Sequence, residues 1–170
     1  MALITDRTAA LGLGSNLGNR LENLREAAER LKPLGHITAK SDVFETEPWG
    51  VKDQPCFLNA CLTIETSLAH KELLTFVKGI ERDMGRRMTI RWGARNIDID
   101  ILLVGANCFD TEELHVPHLN LPNREFVLVP LMQILPGWRH PTVGLSAEEM
   151  LKSLRARESG GCPPLRITAL

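Results

Sequence analysis

The most constraining feature of the sequence is the stretch Arg95-Asn96-Ile97-Asp98-Ile99-Asp100-Ile101-Leu102-Leu103, in which apolar and polar residues alternate. This alternation predicts a half-buried β-strand, with the isoleucines facing the core and the aspartates facing the opposite side. Two carboxylates on one strand face, about 7 Å apart, repel each other. Bound Mg²⁺ would reverse that repulsion, because it prefers hard oxygen ligands. A solvated acidic strand face is the alternative interpretation.

Arginines are concentrated directly before this strand. Asp83 is the only acid between Arg82 and Arg95, a segment that holds five arginines. A guanidinium group presents a planar fork of donors suited to phosphate oxygens. Next to paired carboxylates, the cluster indicates a polyphosphate ligand with its metal rather than nucleic acid. Neutralisation of a helix C-terminus is the structural alternative, and it explains Arg91 and Arg95 poorly.

The length and net charge of the chain argue against several classes of protein. We expect a single domain over residues 1–170, with a core of about 8–155 and a loose tail over 156–170. The net charge of −1 argues against a globally basic nucleic-acid binder, and no apolar run is long enough for a membrane span. Residues 1–7 lack the features of a secretory signal. Four cysteines without a C-x-x-C pair favour reduced thiols in a cytoplasmic protein, which we expect to be a monomer.

The remaining periodicities predict an α+β fold. The expected elements before the aspartate strand are strand 8–13, helix 17–32, strand 37–46, strand 56–66 and helix 70–87. This order is that of a ferredoxin-like antiparallel sheet with both helices on one face. A C-terminal helical extension follows, with a helix over 126–135 in which Pro130 forces a kink or lies in the first turn. Ser146 is the predicted N-cap of the last helix.

Two further segments bear on function. The glycines of 12–18 lack dinucleotide-fingerprint spacing, so we assign them to a tight strand-to-helix turn. In the predicted strand 56–66, Phe57 and Asn59 point away from the apolar face. An aromatic ring beside an amide suits a flat heterocycle, although a ring covered by the preceding loop is equally compatible. Both residues should share a sheet face with Asp98 and Asp100.

The chain also resembles a known family. The matching motifs, in order, are Gly14-Ser15-Asn16-Leu17-Gly18, Asp53-Gln54-Pro55 with Phe57-Leu58-Asn59-Ala60, Arg91-Trp92-Gly93-Ala94-Arg95 with Asp98-Ile99-Asp100, and Val116-Pro117-His118 with Asn123-Arg124 and Phe126. They resemble 6-hydroxymethyl-7,8-dihydropterin pyrophosphokinase of folate biosynthesis over about residues 8–155. The resemblance implies that the pterin hydroxymethyl oxygen attacks the β-phosphorus of ATP and that AMP leaves.

The resemblance also implies roles for individual residues. Asp98 and Asp100 would hold two Mg²⁺ ions on the triphosphate, and Arg86 and Arg95 would neutralise the transferred phosphates. The implied nucleotide-binding residues are Glu81, Trp92, Ile101, His118 and Arg124. The implied pterin-binding residues are Thr46, Trp49, Phe57, Asn59 and Phe126. The loop 85–94, which includes Trp92, would close as a lid.

Two departures from the family pattern limit these assignments. Leu119 stands where many relatives have an aromatic residue, and the 86–92 loop is one residue shorter than in some members, so Arg87 is given no catalytic role. Two other classes stay open on the residues alone. A nucleotidyltransferase would use the same acidic pair but release pyrophosphate, and a ferredoxin-like binding module would do no chemistry.

Overall fold

The computed structural model describes residues 5–86, 93–157 and 162–170. Its strands are β1 (Thr8–Ser15), β2 (His36–Lys40), β3 (Asp42–Thr46), β4 (Phe57–Glu65), β5 (Asp98–Val104), β6 (Phe109–Asp110), β7 (His115–Val116) and β8 (Leu165–Ala169). Its helices are α1 (Arg20–Leu31), α2 (His70–Asp83), α3 (Glu125–Ile134) and α4 (Ala147–Arg157). None of the helices in the described ranges has the length and apolar character needed to cross a membrane.

The main sheet has the strand order β5-β1-β4-β3-β8, and β2 pairs with β4 beside β3. Each of these neighbours runs antiparallel to the next. Strands β6 and β7 form a separate two-stranded sheet. The predicted mixture of helices with an antiparallel sheet is therefore confirmed.

Helices pack on both faces of the main sheet, but on the second face they leave part of the sheet uncovered. On one face, α1 and α2 pack on the inward side chains of β1, β4 and β5, which include Leu11, Leu62 and Ile99. On the other face, α3 and α4 pack on Ala10, Cys61 and the end of β5. Phe57, Asn59, Asp98 and Asp100 line a cleft on this second face, beyond the helices. The predicted common face of these four residues is confirmed.

Several predicted boundaries move for local reasons. Helix α1 begins at Arg20 rather than residue 17, because the Asn19 side chain caps it by accepting the Glu22 N–H at 3.3 Å. Helix α2 ends at Asp83 rather than residue 87, because Gly85 adopts a φ of +80° and reverses the chain. Pro130 lies in the middle of α3 and not in its first turn.

The predicted strand 37–46 is two strands, separated at Ser41. Its hydroxyl accepts the Cys61 N–H at 2.8 Å and donates to the Asp42 carbonyl at 2.7 Å. The Ser41 side chain thus takes the place of part of the backbone hydrogen bonding of the sheet. On either side of it, β4 pairs with β2 and with β3. Such a replacement depends on a partner 20 residues away, so alternation alone does not show it.

The predicted loose tail over 156–170 is wrong in its last part. Leu165–Ala169 forms β8, which pairs with β3 at the edge of the sheet. Arg166 holds this pairing by donating from Nε and Nη2 to the Asp42 carboxylate at 2.5 and 3.0 Å. The flanking glycines and prolines favoured a loop, whereas the short alternating run Leu-Arg-Ile-Thr-Ala is compatible with an edge strand.

The predicted cap of α4 is confirmed, and it yields a stability test. Ser146 Oγ accepts the Glu149 N–H at 3.2 Å, and Glu149 Oε2 accepts the Ser146 N–H at 2.7 Å, which is a capping box. We expect Ser146→Ala to lower the free energy of unfolding by about 1 kcal/mol, because it leaves helix N–H groups unpaired. Chemical denaturation measures this change. Ser153→Ala, within the same helix, should be nearly neutral, and an equal loss in both variants would contradict the capping argument.

Candidate active site

The floor of the cleft is the backbone of β1. Gly14 lies opposite Asn59 of β4 on one side and opposite Asp98 of β5 on the other. A Cβ atom at Gly14 would stand 3.2 Å from Asn59 Oδ1 and 3.9 Å from the Asp98 Cβ. A glycine here therefore leaves the space between these two side chains open. Gly14 lies within β1 rather than in the predicted strand-to-helix turn, because β1 extends to Ser15 instead of ending at residue 13.

One end of the cleft is apolar and carries amide and hydroxyl groups. Phe57 and Phe126 line it together with Trp49. Asn59 is 6% exposed, and its Nδ2 donates to Thr46 Oγ1 at 2.7 Å. The bond fixes the plane of the amide beside the aromatic rings. This end suits a flat ring with hydrogen-bonding edges.

The other end contains Asp98 between two arginines. Arg86 Nη1 donates to Asp98 Oδ1 at 2.6 Å, and Arg95 Nη1 donates to Asp98 Oδ2 at 2.7 Å. Arg86 also contacts Glu81, a buried carboxylate that accepts the Ile99 N–H at 2.7 Å. Although burial acts to raise the pKa of Asp98, the charges of Arg86 and Arg95 hold it below its usual range.

The negative charge of Asp100 is less fully neutralised by the cations that the structure describes. Among the residues that the structure describes, its cationic partner is Arg124, whose Nη1 lies 3.3 Å from Asp100 Oδ2 and 3.5 Å from His118 Nε2. Burial and the neighbouring charge of Asp98 raise the pKa of Asp100. Burial likewise lowers the pKa of His118, against the opposing pull of Asp100. The pKa values of the two carboxyl groups thus shift in opposite directions. Two described guanidinium groups bond Asp98, whereas Asp100 is buried beside the charge of Asp98.

This arrangement fits a divalent cation on two carboxylates. Among the described residues, no group of three or more His, Cys, Asp or Glu side chains is arranged to hold a metal ion by itself. Mg²⁺ commonly uses one or two carboxylates and takes its other ligands from phosphate oxygens and water. Burial and the charge of Asp98 raise the pKa of Asp100, so added positive charge at this end of the cleft would favour its ionised form. A cation brought by a polyphosphate would supply it.

Comparison with known proteins agrees with this geometry. The sequence model of the 7,8-dihydro-6-hydroxymethylpterin-pyrophosphokinase (HPPK) family matches residues 10–136. The chain belongs to the HPPK family. This confirms the resemblance drawn from the sequence motifs.

Individual relatives support the same assignment. A 2-amino-4-hydroxy-6-hydroxymethyldihydropteridine pyrophosphokinase of Aquifex aeolicus is 42% identical over 134 residues, which cover 79% of this chain and 84% of the relative. The mitochondrial folate synthesis bifunctional protein of Arabidopsis thaliana is 46% identical over 132 residues, which cover 77% of this chain but only 24% of the relative. A crystal structure of HPPK-DHPS in complex with substrates shares the fold, with a TM-score of 0.70 and 16% identity. That match covers 91% of this chain and 45% of the other.

The structure brings most of the residues predicted for an HPPK site together. Those that line the cleft are Thr46, Trp49, Phe57, Asn59, Arg95, Asp98, Asp100, Arg124 and Phe126. Arg86 joins them through Asp98, and His118 through Arg124. Glu81 lies beneath Arg86, and Ile101 is 4% exposed in the core packed on α1 and α2. Trp92 and the centre of the predicted lid, 87–92, lie outside the described residues.

Sequence reasoning missed other residues of the cleft. These are Gly12, Leu13, Gly14, Glu47, Ala60, Cys61 and Val127. The spacing of Gly12 and Gly14 would have placed both on one strand face, had the predicted strand 8–13 been extended by two residues. Val127 reaches the cleft only through the docking of α3, which no local pattern specifies.

The opposite pKa shifts predict opposite effects on stability in metal-free buffer. Ionised Asp98 stabilises the fold above its unfolded-state pKa, and this contribution is lost as the pH falls through its lowered folded-state pKa. Asp98→Asn should therefore cost about 1–3 kcal/mol at neutral pH, since it removes charge-assisted hydrogen bonds. Asp100→Asn should leave stability unchanged or raise it, because ionised Asp100 opposes folding above its raised pKa.

Thermal and chemical denaturation in chelator at pH 7 measure both variants. A matched control is Glu148→Gln, which removes an exposed carboxylate of α4 paired with Lys152 and should leave the free energy of unfolding nearly unchanged. Equal destabilisation by Asp98→Asn and Asp100→Asn would contradict the asymmetry between the two carboxylates.

Proposed function

We propose that the chain transfers the pyrophosphoryl group of ATP to the hydroxymethyl oxygen of 6-hydroxymethyl-7,8-dihydropterin. The new bond joins that oxygen to the β-phosphorus, and the hydroxyl proton is released to solvent. The bond between the β-phosphorus and the bridging oxygen to the α-phosphorus breaks, and AMP leaves with that oxygen. Family membership makes the chain a pyrophosphokinase of folate synthesis. One observation carries the detailed proposal: a single cleft joins an aromatic and amide end to an acidic end neutralised by arginines.

The aromatic end would hold the pterin. Phe57 and Phe126 offer two ring faces, and Trp49 lies at the same wall. Asn59 and Thr46, already bonded to each other, present polar atoms to the edge of a heterocycle. The bare backbone at Gly14 leaves a path from this end to Asp98, which the hydroxymethyl group would occupy.

The acidic end would hold the triphosphate. Asp98 and Asp100 would bind two Mg²⁺ ions, which supply neutralisation of phosphate charge when present. Arg86 and Arg95 both contact Asp98, which supports the proposal that their remaining N–H groups would bind phosphate oxygens beside it. Arg124 and His118 would contact the nucleotide from the Asp100 side, and Glu81 keeps Arg86 in position from below. Trp92 completes the proposed nucleotide set. The side chain of Ile101 lies in the core on the opposite face of the sheet, so only the backbone of Ile101 is proposed to contact the nucleotide.

The finer assignments of fold and setting are proposals as well. The order β5-β1-β4-β3 supports a ferredoxin-like unit, with α3 and α4 as its C-terminal extension and β8 as an added edge strand. Four free cysteines support a cytoplasmic location. We retain a monomer as the proposed state, which the molar mass from light scattering tests.

Identification of the products from ATP tests the function. Wild-type protein with ATP, Mg²⁺ and the dihydropterin should yield AMP and the pterin pyrophosphate in equal amounts. Asp98→Asn and Asp100→Asn should lose nearly all of this activity while remaining folded. Pyrophosphate as the ATP-derived product would instead indicate a nucleotidyltransferase, and binding without any product would indicate a binding module.

The aromatic end gives a separate binding prediction. Phe57→Ala or Phe126→Ala should weaken pterin binding by about 1–3 kcal/mol, by analogy with base–aromatic stacking. Calorimetry with an ATP analogue present measures the change. Phe76 is a matched control, because it is 46% exposed on α2 and that helix packs on the opposite face of the sheet. Unchanged affinity in both cleft variants would exclude stacking by these rings.

A further inference from the structure

The segment between β1 and α1 contains a buried amide that the proposed reaction does not use. Asn16 belongs to the motif Gly14-Ser15-Asn16-Leu17-Gly18 and is 2% exposed. It lies at the end of β1, next to the floor of the cleft. Its hydrogen bonds reach two segments that are distant in sequence and that serve different ends of the cleft.

The first set of bonds reaches the loop before β4. Asn16 Nδ2 donates to the Pro55 carbonyl at 3.0 Å and to Gln54 Oε1 at 3.1 Å. Pro55 stands two residues before Phe57. The same loop carries Trp49, another residue of the aromatic end. The amide group of Asn16 therefore fixes the backbone from which Phe57 enters β4.

The second set reaches Arg95. Asn16 Oδ1 accepts the Arg95 N–H at 2.8 Å, and the Asn16 N–H donates to the Arg95 carbonyl at 3.0 Å. The side chain of Arg95 then continues to Asp98 at 2.7 Å. One asparagine thus holds the backbone of an arginine at the acidic end and the loop of the aromatic end.

We propose that Asn16 is a positioning residue that couples the loop before Phe57 to Arg95 and so sets the separation of the two substrate subsites. This inference rests on the proposed function. The amide is suited to the task because it has both donor and acceptor atoms, and both are used. An aspartate has no side-chain N–H to donate, so it would lose the bonds to Pro55 and Gln54 and keep those to Arg95. An alanine would keep the backbone bond to the Arg95 carbonyl, but it would lose every side-chain bond and leave the Arg95 N–H and the Pro55 carbonyl without this partner.

Steady-state kinetics of Asn16→Ala and Asn16→Asp test the proposal. We expect Asn16→Ala to lower kcat by about 10- to 100-fold, because misplacement by about 1 Å can cost about 100-fold. Asn16→Asp should chiefly raise KM for the pterin, since the bond to Arg95 survives. Asn23→Ala is the matched control: its Nδ2 also braces this turn, through Leu17 O at 2.9 Å and Ser15 Oγ at 3.1 Å, and its kinetics should stay within about twofold of wild type.

A double-mutant cycle distinguishes positioning from general destabilisation. If Asn16 acts through Arg95, then Asn16→Ala should cost much less in an Arg95→Ala background than in wild type, because the residues act as one unit. If the fold-losses in kcat of the two single variants simply multiplied in the double variant, the proposal would be overturned. A lower melting temperature in Asn16→Ala with normal turnover per folded molecule would also overturn it, since that result would mark a purely structural residue.

Hydrogen exchange supplies a readout that needs no activity. In Asn16→Ala, amides of residues 50–57 and 93–97 should exchange faster together, whereas Asn23→Ala should change neither segment. Faster exchange in only one segment, or in neither, would overturn the coupling. If wild-type protein formed no AMP while both segments still responded, the proposed function would fail and the coupling by Asn16 would stand.

Discussion

The structure depends on how it accommodates two carboxylates that share one face of one strand. Asp98 and Asp100 lie on β5 with their side chains mostly removed from water, so each needs positive charge nearby. Asp98 receives it from two arginines, one beyond the end of α2 and one before β5. Within the described ranges, the cation that contacts Asp100 is Arg124, at a longer distance of 3.3 Å. A cation bound beside Asp100 would therefore reduce its repulsion with Asp98.

The cleft exists because α3 and α4 cover only part of the second face of the main sheet. Helices α3 and α4 bury one half of the second face, and the other half carries the polar and aromatic side chains of the site. Helix α3 has two functions as a result. Leu128 and Leu131 close the core, while Phe126, one residue inside the N-terminus, forms part of the cleft wall. The packing of α3 on the sheet therefore determines both the core and the geometry of the site.

Alternation along a strand was sufficient to predict the faces of β4 and β5, because side-chain direction there depends only on the local backbone. It was insufficient for the end of β1, because Gly14 has no side chain with which to continue the alternation. The break at Ser41 and the pairing of β8 also escaped prediction. Both depend on partners distant in sequence, such as Cys61 for Ser41 and Asp42 for Arg166. Charge clustering indicated the acidic end correctly, but the unequal environments of its two carboxylates required three-dimensional contacts.

Arg95 and Arg124 each contact both the acidic end and the aromatic end of the cleft. Arg95 contacts Asp98, and its guanidinium carbon lies 6.0 Å from the centre of the Phe57 ring. Arg124 contacts Asp100, and its guanidinium carbon lies 5.2 Å from the Trp49 ring and 5.6 Å from the Phe126 ring. Each arginine thus joins one carboxylate to an aromatic surface. Charge placed on the aspartates acts on the arginines, and any change in their position alters the surfaces available for stacking. Binding at the two ends should therefore be energetically coupled, because the same cations belong to both.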